Sequence, residues 1–359
     1  MLKNFICAVL FILLLVWYSD NKIDLLARAE SGNADDQYKL ALILYENGGS
    51  SKDYQEAFEW FQKSAEQGYA MAMNALAVMS YYGDGTPKDL QEAFLWFKKS
   101  AEHGDVEAQH AVAIMYYQGE GVTKNNQEAL TWYKKAAEQG DAEAQYNLAS
   151  MNYMGEGTRR DYQEAFKWYQ QSARQGLVMA KYNLAVMYHL GEGTLQNYQK
   201  AFKLYQEPAR LGNAGAQQNL AVMYAKGHGT AENVEKAFNW HKKSAEKGNS
   251  EAQHALAVLY YKGKGVKQDY QKAFKWLNKS AEQGNIGAQY ALSIMSKDEQ
   301  YTRYNKEENK SSYNNATESG ESEKLMLRDD TAEKLTPPDL SITKKRVGEM
   351  VKKVQKNKK

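Results

Sequence analysis

The feature that most constrains this chain is an interval of 36 residues. Glycines recur at Gly32, Gly68, Gly104, Gly140, Gly176, Gly212, Gly248 and Gly284, with no insertion or deletion between any two. Each interval carries an Ala-rich run, a Gly-x-Gly element and a second run holding large aromatics and alanines. A unit this short cannot bury an apolar face alone, so copies must stack and share one core. Four prolines in 359 residues, and abundant Ala, Gln, Glu and Lys, assign both runs to helix. The expected fold class is all-α, a solenoid of antiparallel helix pairs.

The signals for helix ends repeat at the same interval. Asn33, Asp105, Asp141, Asn213, Asn249 and Asn285 stand where the first helix of a unit needs a cap. Asp53, Asp89, Asn125, Asp161, Asn197, Asn233 and Asp269 stand where the second begins. Glu56, Glu92, Glu128 and Glu164 follow at capping-box spacing, whereas Lys200, Lys236 and Lys272 replace them later. Alanines such as Ala77 and Ala113 alternate with Trp60, Trp96, Trp132, Trp168, Trp240 and Trp276, which are expected in the core. In unit five Leu204 replaces the tryptophan, and Pro208 should kink the last turn by deleting a helix bond. Residues 20–296 then hold a lone helix, seven full pairs and a lone helix.

The phrases YNLAVMYHLGEG (182–193) and DYQEAFKWYQQSARQG (161–176) resemble the SEL-one-like repeat (SLR) family, relatives of tetratricopeptide repeats. The resemblance covers roughly residues 23–296. It implies a right-handed superhelix with a concave protein-binding face, and the role of an adaptor. One bacterial subgroup of that family is credited with penicillin binding or β-lactamase activity, but its repeats are stapled by disulfides. Here the single cysteine, Cys7, lies outside every repeat.

Residues 1–19 hold Lys3 and an uninterrupted apolar run from Phe5 to Tyr18. Its length is that of a signal-peptide core, yet Trp17-Tyr18-Ser19 is a poor cleavage site. A signal peptide or uncleaved membrane anchor is expected there, with the repeats exported to the periplasm or cell envelope, or secreted. Residues 297–340 are polar and expected to be a disordered linker. Residues 341–359 place Val347, Met350, Val351 and Val354 at helical spacing among many lysines, a basic amphipathic segment suited to an anionic membrane surface or an acidic partner. Charge is polarised: residues 20–140 carry 11 Lys/Arg and 19 Asp/Glu, residues 141–296 carry 19 and 13.

No catalytic constellation rises above the repeat, and no cofactor or metal is expected. The Gly-x-Gly elements follow helices rather than strands, so they read as turns and not phosphate loops. Their middle residue runs from Asp84, Glu120, Glu156 and Glu192 to His228 and Lys264. Two stripes are the candidate partner-binding face, able to grip a peptide by stacking and hydrogen bonds. One is Tyr38, His110, Tyr146, Tyr182, His254 and Tyr290; the other is Tyr117, Tyr153, His189 and Tyr261. Packing between neighbouring repeats is the competing reading of the same side chains. The expected function is an exported, membrane-tethered scaffold for a protein or peptide partner, with nucleic acid unlikely as a partner. A secreted host-interaction factor is the alternative, and a cell-wall or β-lactam enzyme the less favoured third.

Overall fold

The computed structural model describes residues 24–47 and 50–295, and every element in them is helical. The expected N-terminal anchor (1–19), the linker (297–340) and the basic segment (341–359) lie outside the described residues. Two compact units divide between Arg160 and Asp161. The first holds α1 (24–30), α2 (Ala34–Asn47), α3 (Ser51–Glu66), α4 (Ala70–Tyr82), α5 (Leu90–Glu102), α6 (Val106–Gln118), α7 (Asn126–Glu138) and α8 (Ala142–Met154). The second holds α9 (Tyr162–Arg174), α10 (Val178–Leu190), α11 (Tyr198–Arg210), α12 (Ala214–Lys226), α13 (Val234–Glu246), α14 (Ser250–Lys262), α15 (Tyr270–Glu282) and α16 (Ile286–Met295). Within each unit every helix packs on the next one along the chain. The fold is an all-α solenoid of two-helix repeats.

The first helix of a repeat is stopped and started by short-range chemistry. Asn33, Asp105, Asp141, Asn213, Asn249 and Asn285 each accept a bond from the backbone N–H three residues on, at 2.7–2.9 Å. Tyr69 and Leu177, which break the Asn/Asp pattern, make no such bond. A side-chain cap contributes about 1 kcal/mol, so α4 and α10 begin less firmly than their siblings.

The second helix departs from expectation in two ways. In the first repeat it begins at Ser51, earlier than Asp53: Ser50 is the cap, and Asp53 closes a capping box with it. In later repeats the residues spaced for a capping box do not form one in unit 1. The backbone N–H of Asp89 donates to the Ser80 carbonyl, and that of Asn125 to the Tyr116 carbonyl, each at 2.8 Å. Asn197, Asn233 and Asp269 do the same to Tyr188, Tyr224 and Tyr260. The glutamate has no open donor to reach, which is why Lys200, Lys236 and Lys272 are tolerated at that position. Lys272 instead pairs with Asp269 at 3.0 Å.

The second glycine of each turn is a steric requirement. A Cβ on Gly121 would lie 2.0 Å from the carbonyl oxygen of Leu90, and one on Gly193 2.0 Å from that of Tyr162. The turn of one repeat thus rests directly on the second helix of the repeat before it. Glutamines add a further tie: Gln37, Gln109, Gln217 and Gln253 donate to the carbonyls of Ala29, Ala101, Ala209 and Ala245 at 2.9–3.2 Å. Ser64, Ser100, Ser244 and Ser280 donate to carbonyls 30 residues earlier, at the start of their own repeat's first helix. Pro208 occupies that serine position in α11. The helix nevertheless runs its full 13 residues to Arg210.

Trp132 apart, the recurring tryptophans lie at the edge of the core. Trp60, Trp96, Trp168, Trp240 and Trp276 are half-buried, and of the recurring set Trp132 alone is buried. A lysine three residues on lies over the indole at Trp60, Trp96, Trp132, Trp240 and Trp276, at 3.7–4.8 Å. The core position is the next residue, rotated about 100° around the helix. Phe61, Phe97, Tyr133, Tyr169, Tyr205, His241 and Leu277 fill it, all buried.

Candidate partner-binding face

The first stripe of candidates is largely enclosed. Tyr38, His110, Tyr182 and His254 are buried, Tyr146 is half-buried, and Tyr290 is exposed. The cover comes from the second helix of the same hairpin. Tyr38 meets Phe61 at 5.7 Å between ring centroids, His110 meets Tyr133 at 5.6 Å, and Tyr182 meets Tyr205 at 6.0 Å. Packing therefore accounts for these three side chains, and a partner would not reach them, or the buried His254, without opening a hairpin. His110 Nδ1 also lies 3.3 Å from the buried Asp141 carboxylate, tying α6 to the cap of α8.

One hairpin replaces this aromatic pair with a polar one. Gln218 takes the tyrosine position in α12, and His241 takes the core position in α13. His241 Nδ1 is 2.7 Å from Gln218 Oε1. Burial lowers the His241 pKa to about 4, so the ring is neutral at physiological pH. With Oε1 as acceptor, Nδ1 is the protonated nitrogen.

The second stripe is more accessible, and it is built across consecutive repeats. Tyr45, Tyr81 and Tyr117 are half-buried; their hydroxyls donate to the carboxylates of Asp84, Glu120 and Glu156 at 2.7–2.8 Å. Those acids are the middle residues of the Gly-x-Gly turns, held 39 residues on. Burial, and donation to Glu156, raise the Tyr117 pKa to about 12. Tyr45 is raised by burial and by Asp84. Both phenols thus remain protonated donors. Lys88 and Lys124 stand 5.4 Å over the rings of Tyr81 and Tyr117. The first unit thereby presents a row of aromatic, acid and base at a constant interval.

The second unit changes that chemistry at the same positions. His189 is buried, and its pKa is lowered to about 4 by burial, then by the neighbouring His228 and Lys226. His228 stacks on Tyr198 at 4.3 Å and 21° between planes. Ala225 and Lys264 take the next pair of places, and Tyr261 packs edge-on against Tyr270 at 5.3 Å. Tyr153 is half-buried. Reading the stripes separately from the turns missed this pairing. The signal was present: tyrosine at one position goes with an acid 39 residues later, histidine with histidine, alanine with lysine.

Among the described residues, no group of three or more His, Cys, Asp or Glu side chains is placed to hold a metal ion. No helix among them is long and apolar enough to cross a membrane.

The Sel1 repeat model matches seven consecutive segments: 34–69, 70–105, 106–141, 142–177, 178–213, 214–249 and 250–285. No curated protein matches the chain. Among solved structures, the chain is similar to a protective antigen of uropathogenic Escherichia coli strains displaying an SLR fold, at 34% identity and a TM-score of 0.66. That alignment covers 77% of this chain and 60% of the antigen, so the chain spans well under the antigen's full length. It is also similar to a Sel1 repeat protein from Oxalobacter formigenes, at 31% identity and a TM-score of 0.55, covering 67% of this chain and 96% of that one. Sel1 repeat proteins are generally of the scaffold type and bind other proteins. Seven matched segments in unbroken register put the chain in the Sel1 repeat family.

Proposed function

We propose that the chain is a non-enzymatic, exported and membrane-tethered scaffold that holds a protein partner along the tyrosine–carboxylate row. The observation that carries this reading is the constant geometry of Tyr45–Asp84, Tyr81–Glu120 and Tyr117–Glu156 on partly accessible side chains. A row with fixed spacing suits an extended segment whose basic and hydroxyl groups meet the same chemistry at each repeat. The acidic excess of residues 20–140 adds attraction for a basic segment, which added salt would weaken. The apolar run at Phe5–Tyr18 supports the tether.

The test uses the full chain in its native cells. Photo-crosslinking from Lys88 and Lys124 should trap a partner that the Tyr81→Ala/Tyr117→Ala variant fails to trap. Equal trapping by the variant would rule the row out. Fractionation with protease accessibility tests the tether: full-length chain in the soluble cytosol would overturn it. A second reading, a released host-interaction factor, draws on the similarity to a protective antigen of uropathogenic Escherichia coli. It requires a processed chain in the culture medium.

A further inference from the structure

The first helices of the second unit leave one face open. In α10, Asn183 and Val186 are half-buried and Leu190 is 42% exposed. In α12, Asn219 and Val222 are half-buried and Lys226 is exposed. Steps of three and four residues put each set on one side of its helix. The two helices lie side by side. Asn213, the cap of α12, reaches the Met179 sulfur in α10 at 3.9 Å, and at the far end Lys226 is near enough to His189 to help lower its pKa.

Asn183 and Asn219 hold the same position one repeat apart, and neither amide makes a hydrogen bond to a described residue. Their sibling Asn147, in the first unit, lies 3.3 Å from His110 Nε2. An asparagine amide carries an acceptor oxygen and two N–H donors. One residue of extended main chain offers the matching pair, an N–H and a C=O on the same edge, whereas a helix uses both groups internally. Charge narrows the match further. Lys226 and Lys262 end α12 and α14, Lys264 follows in the turn, and all three are exposed without an ion pair to a described residue. At the opposite end of the face the charged groups are already engaged: Lys181 pairs with Glu207 at 2.6 Å, and Glu251 accepts from the Asn285 amide at 2.7 Å.

We propose that this face binds an extended, acidic segment of a partner protein, its main chain held by the amides of Asn183 and Asn219 and its carboxylates by Lys226, Lys262 and Lys264. The valines beside the amides accept apolar side chains of the same segment. A basic segment would meet three like charges here. A helical one would find no use for the amides. The face lies wholly in the second unit and does not depend on the tyrosine–carboxylate row of the first, which suits the opposite charge.

Fluorescence anisotropy on the full-length protein tests the assignment, with a labelled peptide of alternating Glu and Val as the probe. Asn183→Ala/Asn219→Ala should weaken binding about tenfold, from two lost hydrogen bonds, and leave its salt dependence unchanged. Neither amide bonds within the fold, so this variant should melt with the parent. Lys226→Glu/Lys262→Glu should weaken binding at low salt and flatten the salt dependence. The same peptide N-methylated along its main chain should bind weakly and no longer distinguish the asparagine variant from the parent. Failure of the probe to bind would overturn the proposal, as would equal binding of the N-methylated peptide or of an alternating Lys-Val peptide. Phosphatidylglycerol vesicles that bind through the lysines, with the Glu-Val peptide indifferent to both asparagines, would also overturn it and mark a membrane surface as the occupant.

Discussion

Replacing Gly121 with alanine should be among the most damaging single changes in the array, for a reason that can be separated from backbone strain. Gly121 has φ +66°, where an L side chain costs roughly 1–2 kcal/mol. Its added Cβ would also sit 2.0 Å from the Leu90 carbonyl oxygen and 2.4 Å from the carbonyl carbon, atoms of backbone that cannot swing away. Forcing that turn off the preceding repeat should cost about 1–3 kcal/mol more, as overpacking does in well-packed interiors. Gly104 supplies the control: φ is +90°, and no atom lies within 4 Å of its added Cβ. Gly104→Ala should therefore show the conformational cost without the steric one. Because a repeat's stability is set by its nearest neighbours, local hydrogen exchange in α5 and α7 is the readout. Gly121→Ala should speed exchange there by roughly tenfold or more beyond Gly104→Ala, since about 1.4 kcal/mol is a factor of ten. Gly265→Ala, whose Cβ would meet the Val234 carbonyl oxygen at 2.9 Å, should fall between them. If Gly121→Ala is no worse than Gly104→Ala, the turn does not rest on the preceding repeat and the stacking account fails.

Other outcomes follow from the same structure. His241 is neutral in the fold with its pKa lowered from 6.5 to about 4, so the unfolded chain binds the extra proton between those values. Stability from this group is full above pH 6.5 and is lost as pH falls towards 4, by roughly 3 kcal/mol, and urea unfolding between pH 4 and 7 reads it. His241→Phe alone leaves Gln218 unpaired and should destabilise by about 1–3 kcal/mol, whereas adding Gln218→Tyr should restore stability by rebuilding the tyrosine–phenylalanine pair found in α2 and α3. Pro208→Ser should stabilise by about 1 kcal/mol, because the serine regains a backbone donor and the 30-residue bond its siblings make; no change in the urea midpoint would count against that bond. Asn213→Ala should cost about 1 kcal/mol and speed exchange in the first turn of α12, while Leu177→Asn should gain a similar amount in α10.

Much of this architecture was legible because it depends on chemistry local in sequence. The first-helix caps need one side chain and an N–H three residues away, and all six Asn/Asp positions form that bond. The capping box failed for a non-local reason: the N–H it needs is taken by a carbonyl nine residues back in the preceding helix. The tryptophans misled because size and recurrence look the same in a core residue and in one lying at its edge beneath a lysine. A single 100° step decides between Trp60 and Phe61, and no spacing rule fixes that phase. For the candidate face, residue type was legible and accessibility was not. Tyr38 and Tyr117 share a chemistry, but one is enclosed by Phe61 and the other reaches Glu156 at a turn.

The ties within and between repeats are written as steps along the chain: 30 residues from serine to carbonyl inside one repeat, 8 from glutamine to carbonyl and 39 from tyrosine to carboxylate across to a neighbouring one. Such rules name no particular partner, so they are unchanged when a whole 36-residue module is copied or removed. Loss of a single residue, by contrast, would break all three ties wherever they span the gap. The gene can then alter the length of this protein in one currency, the complete module. The number of tyrosine–carboxylate places on offer becomes a quantity that duplication can tune without inventing a new contact.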